Sequence, residues 1–197
     1  VKNNLQVVSS LLDLQSASQT SPELRLLLGE SRNRIRCMAL IHDQLCRTVT
    51  SGLVNLRSYL GELTRALAWS RGETSERIAI EAEVAEVTLG LDQAVATGLI
   101  VNELVSNSLK HAFGPAAPGR IVLRLWPTEA GDALILEVAD DGCGFPSGAE
   151  RTDGSLGLTL VEALVRQLRG TLTIDGTRGT TTRITFPPSP EVSAHAA

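Results

Sequence analysis

The sequence predicts an α+β fold, in which an antiparallel helical hairpin precedes a mixed, mostly antiparallel sheet with helices on one face. Three observations support this prediction. Apolar residues recur every 3.6 positions over residues 1–12, as in an amphipathic helix. Several short segments after residue 76 alternate apolar and polar side chains, which is typical of half-buried strands. Two glycine-rich segments, 142–144 and 154–157, adjoin a predicted strand and a predicted helix.

Composition restricts the class of protein. The 197 residues are 43% hydrophobic and carry a net charge of −4, so a core is available but the basic surface of a nucleic-acid-binding protein is not. No apolar run reaches the length that spans a bilayer. The three cysteines, Cys37, Cys46 and Cys143, are odd in number and widely spaced, which indicates reduced thiols in a cytoplasmic protein.

The beginning of the sequence indicates that the chain is a fragment of a longer protein. The chain begins at Val1 and has one methionine, Met38. We therefore expect a longer protein, with any sensor segment or membrane attachment upstream of this cytoplasmic part.

The first 50 residues are predicted to form the hairpin. The polar residues 16–21 end the first helix, and Ser21-Pro22-Glu23 begins a second helix that runs to about Arg47, because proline suits the first helical position. A hairpin alone buries little apolar surface. A two-fold dimer that forms a four-helix bundle is the simplest way to bury the rest, and packing on the following domain is the alternative.

The remaining elements follow in order along the chain. Residues 48–55 are predicted as a break, 114–119 as a connector and 187–197 as a disordered tail. Helices are predicted at 56–69, from Leu91 with Asp92 as its cap, and at 157–169. Strands are predicted at 77–83, 121–126, 134–139, 171–175 and 181–186.

The helix around residues 99–113 carries an unusual set of polar residues. Glu103, Asn107 and Lys110 follow one another at i, i+4 and i+7, so they share a narrow arc, while Ala94, Gly98, Val101, Val105 and Ala112 fall on the opposite side. The amide oxygen of Asn107 suits Mg²⁺, the charge of Lys110 suits phosphate, and the carboxylate of Glu103 suits a base or a group that orients a water. The alternative is a solvated polar stripe without a function.

Two glycine-rich segments predict a nucleotide site. Asp140 follows a strand directly, and Gly142 and Gly144 allow the backbone to approach a ligand. The segment 154–158 begins a helix, whose free amides favour phosphate. Neither segment is a GxxxxGK[ST] loop or a GxGxxG that follows the first strand of a βαβ unit, so a P-loop or Rossmann site is excluded.

The order of these motifs resembles a known family. An Asn-bearing helix, strand-Asp-x-Gly-x-Gly, Gly-x-Leu-Gly-Leu and a final Gly179-Thr180 resemble the ATP-binding domain that sensor histidine kinases share with gyrases, Hsp90 and MutL, the Bergerat fold. The segments VKNNLQVVSSLLDLQ and RIRCMALIHDQLC resemble the dimerisation and phosphoacceptor hairpin of kinases related to the HWE subfamily. The implied domains are a hairpin at 1–50, an α/β sandwich of Bergerat type at 51–187 and the tail at 188–197.

The resemblance implies roles for individual residues. Asn107 would bind Mg²⁺, Glu103 would lie near the reacting γ-phosphate, and Asp140 would bind adenine. Residues 145–153 would form a short lid over ATP. The other positions implied in nucleotide binding are Lys110, His111, Gly142, Gly144, Gly154, Gly157, Leu158 and Thr180.

The implied function is that of a two-component sensor histidine kinase. It would use Mg-ATP, form a homodimer through the hairpin and pass phosphate from histidine to an aspartate of a response regulator receiver domain. The family's phosphoacceptor lies in a His-Arg-Val-Lys-Asn context, which would place it two residues before Val1. This chain is therefore predicted to bind ATP without phosphorylating itself at the usual site.

Two other functions remain open, namely a non-kinase histidine phosphotransferase with a degenerate ATP domain and an anti-sigma-type serine kinase. In the favoured interpretation, none of the histidines in the sequence takes the place of the phosphoacceptor histidine expected before Val1. His42 is interpreted as structural, with a substitute acceptor as the alternative, and His195 lies in the tail. For Cys143, simple packing is favoured over redox control of ATP binding.

Overall fold

The computed structural model describes ten positions between residues 11 and 39 and four continuous segments, at 52–69, 77–114, 117–144 and 156–188. The described positions at 11–15 and 24–39 are helical, and the backbone N–H of Leu24 donates to Ser21 Oγ over 3.5 Å. That bond agrees with a helix start at Ser21. The rest of the predicted hairpin, His42, the predicted lid and nearly all of the predicted tail lie outside the described residues.

Three helices, one π-helical turn and seven strands make up the continuous segments. The helices are α1 (Leu56–Trp69), α2 (Leu91–Asn107) and α3 (Leu156–Gln167), and the π turn (Ser108–Ala112) follows α2 directly. The strands are β1 (Leu53–Asn55), β2 (Ile78–Val84), β3 (Thr88–Gly90), β4 (Gly119–Pro127), β5 (Leu134–Asp140), β6 (Thr171–Asp175) and β7 (Thr180–Phe186).

A five-stranded sheet with the order β2-β4-β5-β7-β6 forms the centre of the fold. Strands β2 and β4 are parallel, and every other neighbouring pair is antiparallel. The predicted α+β class with a mixed, mostly antiparallel sheet is therefore confirmed. Along β4, Ile121, Leu123 and Leu125 are buried while Arg124 is not, as the alternation of side chains in a strand requires.

The helices bury that apolar face of the sheet. Helix α1 contacts β2, α2 contacts β5, and α3 contacts β6 and α2. Residues 96–106 of α2 are all buried, so this helix lies inside the domain and not at its surface. Close packing against α1 requires glycine at position 98, because a methyl group there would lie 1.7 Å from the hydroxyl of the fully buried Tyr59.

Two expectations about the region before α2 are wrong. Residues 53–55, predicted within a break, and 88–90, predicted as a loop, form strands β1 and β3 of a separate two-stranded sheet. Asp92 is not the cap of α2, because Gly90 occupies the N-cap position and no side chain caps the helix there. Asp92 lies in the first turn, where its charge favours the helix dipole.

The other face of the sheet carries a row of ion pairs across four strands. Arg124 bridges Glu83 and Glu137 at 2.7 and 3.0 Å, and Arg183 contacts Glu137 at 2.6 Å. The hydrogen bonds to Glu83 and Glu137 raise the pKa of Arg124 above its usual range. Glu137 is only 6% exposed, so it is the buried centre of this row. Within the described segments, none of the helices has the length and apolar character needed to cross a membrane.

Candidate functional site

Asp140 lies at the end of β5 and is 6% exposed. Its Oδ1 accepts hydrogen bonds from the backbone N–H of Gly142 at 3.1 Å and from that of Thr180 at 3.0 Å. Its Oδ2 accepts one from the hydroxyl of Ser108 at 2.6 Å. Three donors hold the carboxylate in one orientation. A fixed, buried carboxylate is suited to ligand recognition, whereas a solvated surface carboxylate is not.

Ser108 reaches Asp140 from the π turn at the end of α2. The turn contains about one residue more than an α-helical turn, so it changes the direction of the side chains that follow Asn107. Ser108 is 9% exposed and donates to a carboxylate 32 residues away. Position 108 carries no signal in the sequence, because its partner Asp140 is distant along the chain.

Glycines bring the backbone of three segments together beside Asp140. A methyl group on Gly142 would lie 2.3 Å from the carbonyl oxygen of Ala112, and one on Gly144 would lie 2.2 Å from that of Gly176. Gly144 and Gly179 also have positive φ angles of 66° and 67°. Any other residue would be strained at these two positions, so the close approach depends on glycine.

Glu103 and Asn107 face the N-terminal end of α3. A methyl group on Gly157 would lie 2.9 Å from Glu103 Oε2 and 3.7 to 3.8 Å from the amide atoms of Asn107. Glu103 is 5% exposed and Asn107 is partly buried, so the alternative of a solvated polar stripe is wrong. A carboxylate at a helix N-terminus also interacts favourably with the helix dipole.

Asn102 is a second residue that the sequence analysis missed. It precedes Glu103 in α2, is 2% exposed, and donates from Nδ2 to Glu103 Oε1 over 3.2 Å. Its Oδ1 is buried and accepts no hydrogen bond from the described residues. The partner of a polar residue can be identified only from the packing when the helix around that residue is buried on all sides.

The remaining predicted site residues that the structure describes lie near Asp140 or near the pair Glu103 and Asn107. Lys110 and His111 lie in the π turn, the first partly buried and the second exposed. Because the turn is π-helical, the i+3 spacing from Asn107 to Lys110 covers less of a full turn than it would in an α-helix. Leu158 packs partly buried against the core, and Thr180 contacts Asp140 through its backbone amide. Gly154 lies outside the described residues.

Cys143 lies between the two glycines that follow Asp140. It is exposed, and its Sγ is 3.5 Å from the carbonyl oxygens of His111 and Gly144. Its backbone N–H donates to Ala112 over 2.9 Å and thereby ties this loop to the π turn. The thiol thus lies on the surface of the loop that follows β5.

Comparison with known proteins agrees with this geometry. A histidine kinase family model matches residues 1–70, and a model of histidine kinase-, DNA gyrase B- and HSP90-like ATPases matches residues 92–190. The chain belongs to the histidine kinases related to the HWE subfamily, with an ATPase domain of the type shared with gyrase B and HSP90. Transferase activity, ATP binding and two-component signalling are the general properties of this family.

Individual relatives support the assignment. The sensor histidine kinase PdtaS of Mycobacterium tuberculosis is 36% identical over 176 residues, which cover 87% of this chain and 34% of PdtaS. Blue-light-activated histidine kinase 2 of Erythrobacter litoralis is 30% identical over 193 residues, covering 95% of this chain and 54% of that protein. This chain therefore spans about a third to a half of these relatives.

The fold matches a solved kinase structure. The histidine kinase domain of Erythrobacter litoralis EL346 superposes with a TM-score of 0.75 at 25% identity, covering 96% of this chain and 93% of that domain. The mixed sheet with helices on one face is thus the Bergerat-type sandwich predicted from the motifs.

Proposed function

We propose that this chain binds Mg-ATP and, within a longer sensor kinase, transfers the γ-phosphoryl group to a histidine and then to an aspartate of a response regulator. The main support is the surroundings of Asp140. Its carboxylate is buried and held by Gly142, Thr180 and Ser108, next to backbone that only glycine can form. This arrangement suits recognition of a flat, amino-bearing base such as adenine.

The hydrogen-bonding capacity of Asp140 supports adenine as its partner. A carboxylate has about four acceptor sites, of which Oδ1 uses two and Oδ2 uses one. Counting donors from the described segments alone, one acceptor site on Oδ2 remains for an exocyclic amine. Gly142 and Gly144 let the backbone of Ala112 and Gly176 pack closely against the loop after β5, which holds this loop in place beside Asp140.

Asn107 suits the role of magnesium ligand. Its amide has no methyl group above it, since position 157 is glycine, and a neutral oxygen suits an ion that keeps several waters and phosphate oxygens in its shell. Lys110 and His111 would flank the phosphates and the nucleotide. The helix that contains Gly157 and Leu158, together with Gly154 just before it, would offer free amides to the phosphates.

Glu103 would act as the base in phosphoryl transfer. The histidine nitrogen attacks the γ-phosphorus, the bond to the bridging oxygen breaks and ADP leaves, while the carboxylate accepts the proton of the imidazole. Glu103 is buried on the same helix as Asn107 and four residues before it, so base and metal ligand keep a fixed separation.

Quaternary structure, partners and location complete the proposal. The histidine kinase model over residues 1–70 supports a dimer through the N-terminal hairpin and a receiver domain as the phosphate acceptor. We place this part of the protein in the cytoplasm, where ATP and response regulators are found.

Calorimetry of Mg-ATP binding tests the nucleotide site. The parent chain should bind, while Asn107→Ala should lose the magnesium-dependent part of the affinity and Asp140→Ala should lose binding altogether. Asp141→Ala is the matched control, because Asp141 is exposed and accepts a hydrogen bond from the backbone of Arg120 instead. Equal affinity of Asp140→Ala and Asp141→Ala would contradict the proposed adenine contact.

The transfer step is tested with the chain preceded by His-Arg, the context that the family resemblance implies. Acid-labile phosphate on that histidine is the expected result, and an Ala-Arg extension serves as control. ATP binding without histidine phosphorylation would instead favour a serine kinase, and no ATP binding would favour a phosphotransferase.

A further inference from the structure

We infer that Asn102 is a positioning residue for phosphoryl transfer, because its side-chain amide holds the carboxylate of Glu103. This inference rests on the proposed role of Glu103 as the base. Asn102 Nδ2 lies 3.2 Å from Glu103 Oε1, and both side chains are buried, at 2% and 5% exposure. Asn102 itself would not touch the nucleotide.

The two oxygens of Glu103 have different surroundings. Oε1 accepts the hydrogen bond from Asn102, while Oε2 faces Gly157 at the beginning of α3. The amide thus fixes one oxygen inside the domain, while the other lies against the beginning of α3, beside the proposed phosphate site. A base acts efficiently only when it is within hydrogen-bond reach of the proton that it removes, so this orientation matters for the rate.

The orientation of the amide is itself determined. An ionised carboxylate only accepts hydrogen bonds, so the NH₂ group of Asn102 must face it, and the reverse orientation would bring two acceptors together. This leaves Oδ1 on the far side, where it is buried and accepts no hydrogen bond from the described residues. Burying an acceptor in this way lowers stability.

The free-energy cost of this unpaired acceptor argues that Asn102 is present for function and not for stability. The nearby residues Val101 and Leu104 of α2 are apolar and buried, so an apolar side chain would suit position 102 as core filling. Leucine has the same branched side-chain skeleton as asparagine, with two methyl groups in place of the amide oxygen and nitrogen, and leaves no orphan acceptor. If Asn102 only stabilised the fold, Asn102→Leu would reduce the transfer rate only as far as the shape of leucine disturbs the packing. If Asn102 positions Glu103, losing the hydrogen-bond donor reduces the rate even when the domain stays folded.

The test compares Asn102→Leu with Asn102→Ala in the His-Arg-extended chain. Both variants remove the donor, but leucine fills the space and alanine leaves a cavity, so their stabilities should differ. We expect both to lose rate at saturating Mg-ATP by about tenfold to a hundredfold, as for other residues that orient a reacting group. The ATP dissociation constant should stay within about twofold of the parent value, since the adenine contacts are unchanged.

Thr97→Val is the matched control. Thr97 is fully buried in the same helix, and its hydroxyl donates to the carbonyl of Gln93, away from Glu103. This variant should keep the parental rate. Thermal unfolding of all three variants completes the comparison.

Three results would decide the matter. Equal rate losses in the leucine and alanine variants, despite different unfolding temperatures, support the inference. A parental rate in Asn102→Leu, or a rate that follows unfolding temperature across the variants, overturns it while leaving the proposed function intact. Failure of the parent chain to bind Mg-ATP or to phosphorylate the added histidine overturns the proposed function, and this inference with it.

Discussion

The hydroxyl of Ser108 donates to Asp140 Oδ2 over 2.6 Å, although 32 residues separate the two in the chain. The contact joins the π turn after α2 to the end of β5, and Thr180 adds a third segment through its backbone amide. The orientation of the carboxylate thus depends on three parts of the fold.

Ser108→Ala should weaken ATP binding by about tenfold, because a hydrogen bond to a charged group contributes about 1.5 kcal/mol and the freed carboxylate becomes less ordered. Calorimetry measures the effect. Thr64→Val is the control, since the buried hydroxyl of Thr64 donates only to backbone carbonyls of its own helix. Unchanged affinity in Ser108→Ala would show that the two backbone amides suffice to orient Asp140.

Gly157→Ala should lower the rate of phosphoryl transfer while leaving the stability of the domain nearly unchanged. The added methyl group would lie 2.9 Å from Glu103 Oε2, so this carboxylate must move, and phosphoryl transfer in the His-Arg-extended chain should fall at least tenfold. Stability should change little, because the atom displaced is the end of a side chain and alanine is favoured over glycine in a helix by about 0.5–1 kcal/mol. Gly61→Ala is the matched control, because its added methyl group would meet no atom of the described residues within 4 Å beyond the adjacent backbone of its own helix. A parental transfer rate in Gly157→Ala would argue against Glu103 as the base.

Glu137→Gln should destabilise the domain by about 1–3 kcal/mol, because it removes the buried negative charge between two arginines and replaces one of its two acceptor oxygens by an NH₂ donor. The loss stays moderate, since Arg124 and Arg183 are 37% and 52% exposed and can turn to water. Urea unfolding measures it. Glu81→Gln removes an exposed partner of Arg120 on the same face and should have much less effect. Equal losses in the two variants would contradict the central position of Glu137.

Asp175 gives a dependence of stability on pH. Hydrogen bonds from the backbone N–H and hydroxyl of Thr177 lower the pKa of Asp175 below 3.8. A lowered pKa in the folded state stabilises the protein above the unfolded value, and this contribution disappears as the pH falls through the folded pKa. Asp175→Asn should therefore be less stable than the parent at pH 7, and the difference should narrow below pH 3.8.

Thr177→Val tests the cause of this dependence. It removes the hydroxyl donor and leaves the amide, so it should reproduce part of the effect of Asp175→Asn on urea unfolding. A difference between Asp175→Asn and the parent that is independent of pH would mean that Asp175 acts through its shape and not through its charge.

The longer elements were predictable because each repeats its pattern over several turns or alternations. Helix α1 begins and ends where the sequence predicted, and the five strands of the main sheet differ from prediction by at most two residues at each end. Strands β1 and β3 have three residues each, too few for an alternation to be seen. Asp92 suggested a cap, but the chain enters α2 from β3 with Gly90 in extended geometry, so the cap position lies two residues earlier.

The candidate site was predictable where a local motif carries the chemistry. Asp140 with its glycines, and Glu103 with Asn107, are short patterns in one segment, and the structure brings each set together. Ser108 and Asn102 were missed because their roles depend on partners and packing. Ser108 contacts a residue 32 positions away in the chain, and Asn102 is a polar residue within the stretch 96–106 of α2, in which every residue is buried.

The π turn also affects how this helix tolerates changes in length. Deleting one residue from the α-helical part of α2 would rotate every later side chain by about 100°, separating Glu103 from the end of α3. Deleting one residue from the turn at 108–112 would return that stretch to ordinary α-helical winding and leave the preceding turns in place. A one-residue deletion at this turn would therefore leave the winding of α2 unchanged while shifting the side chains that follow the deletion.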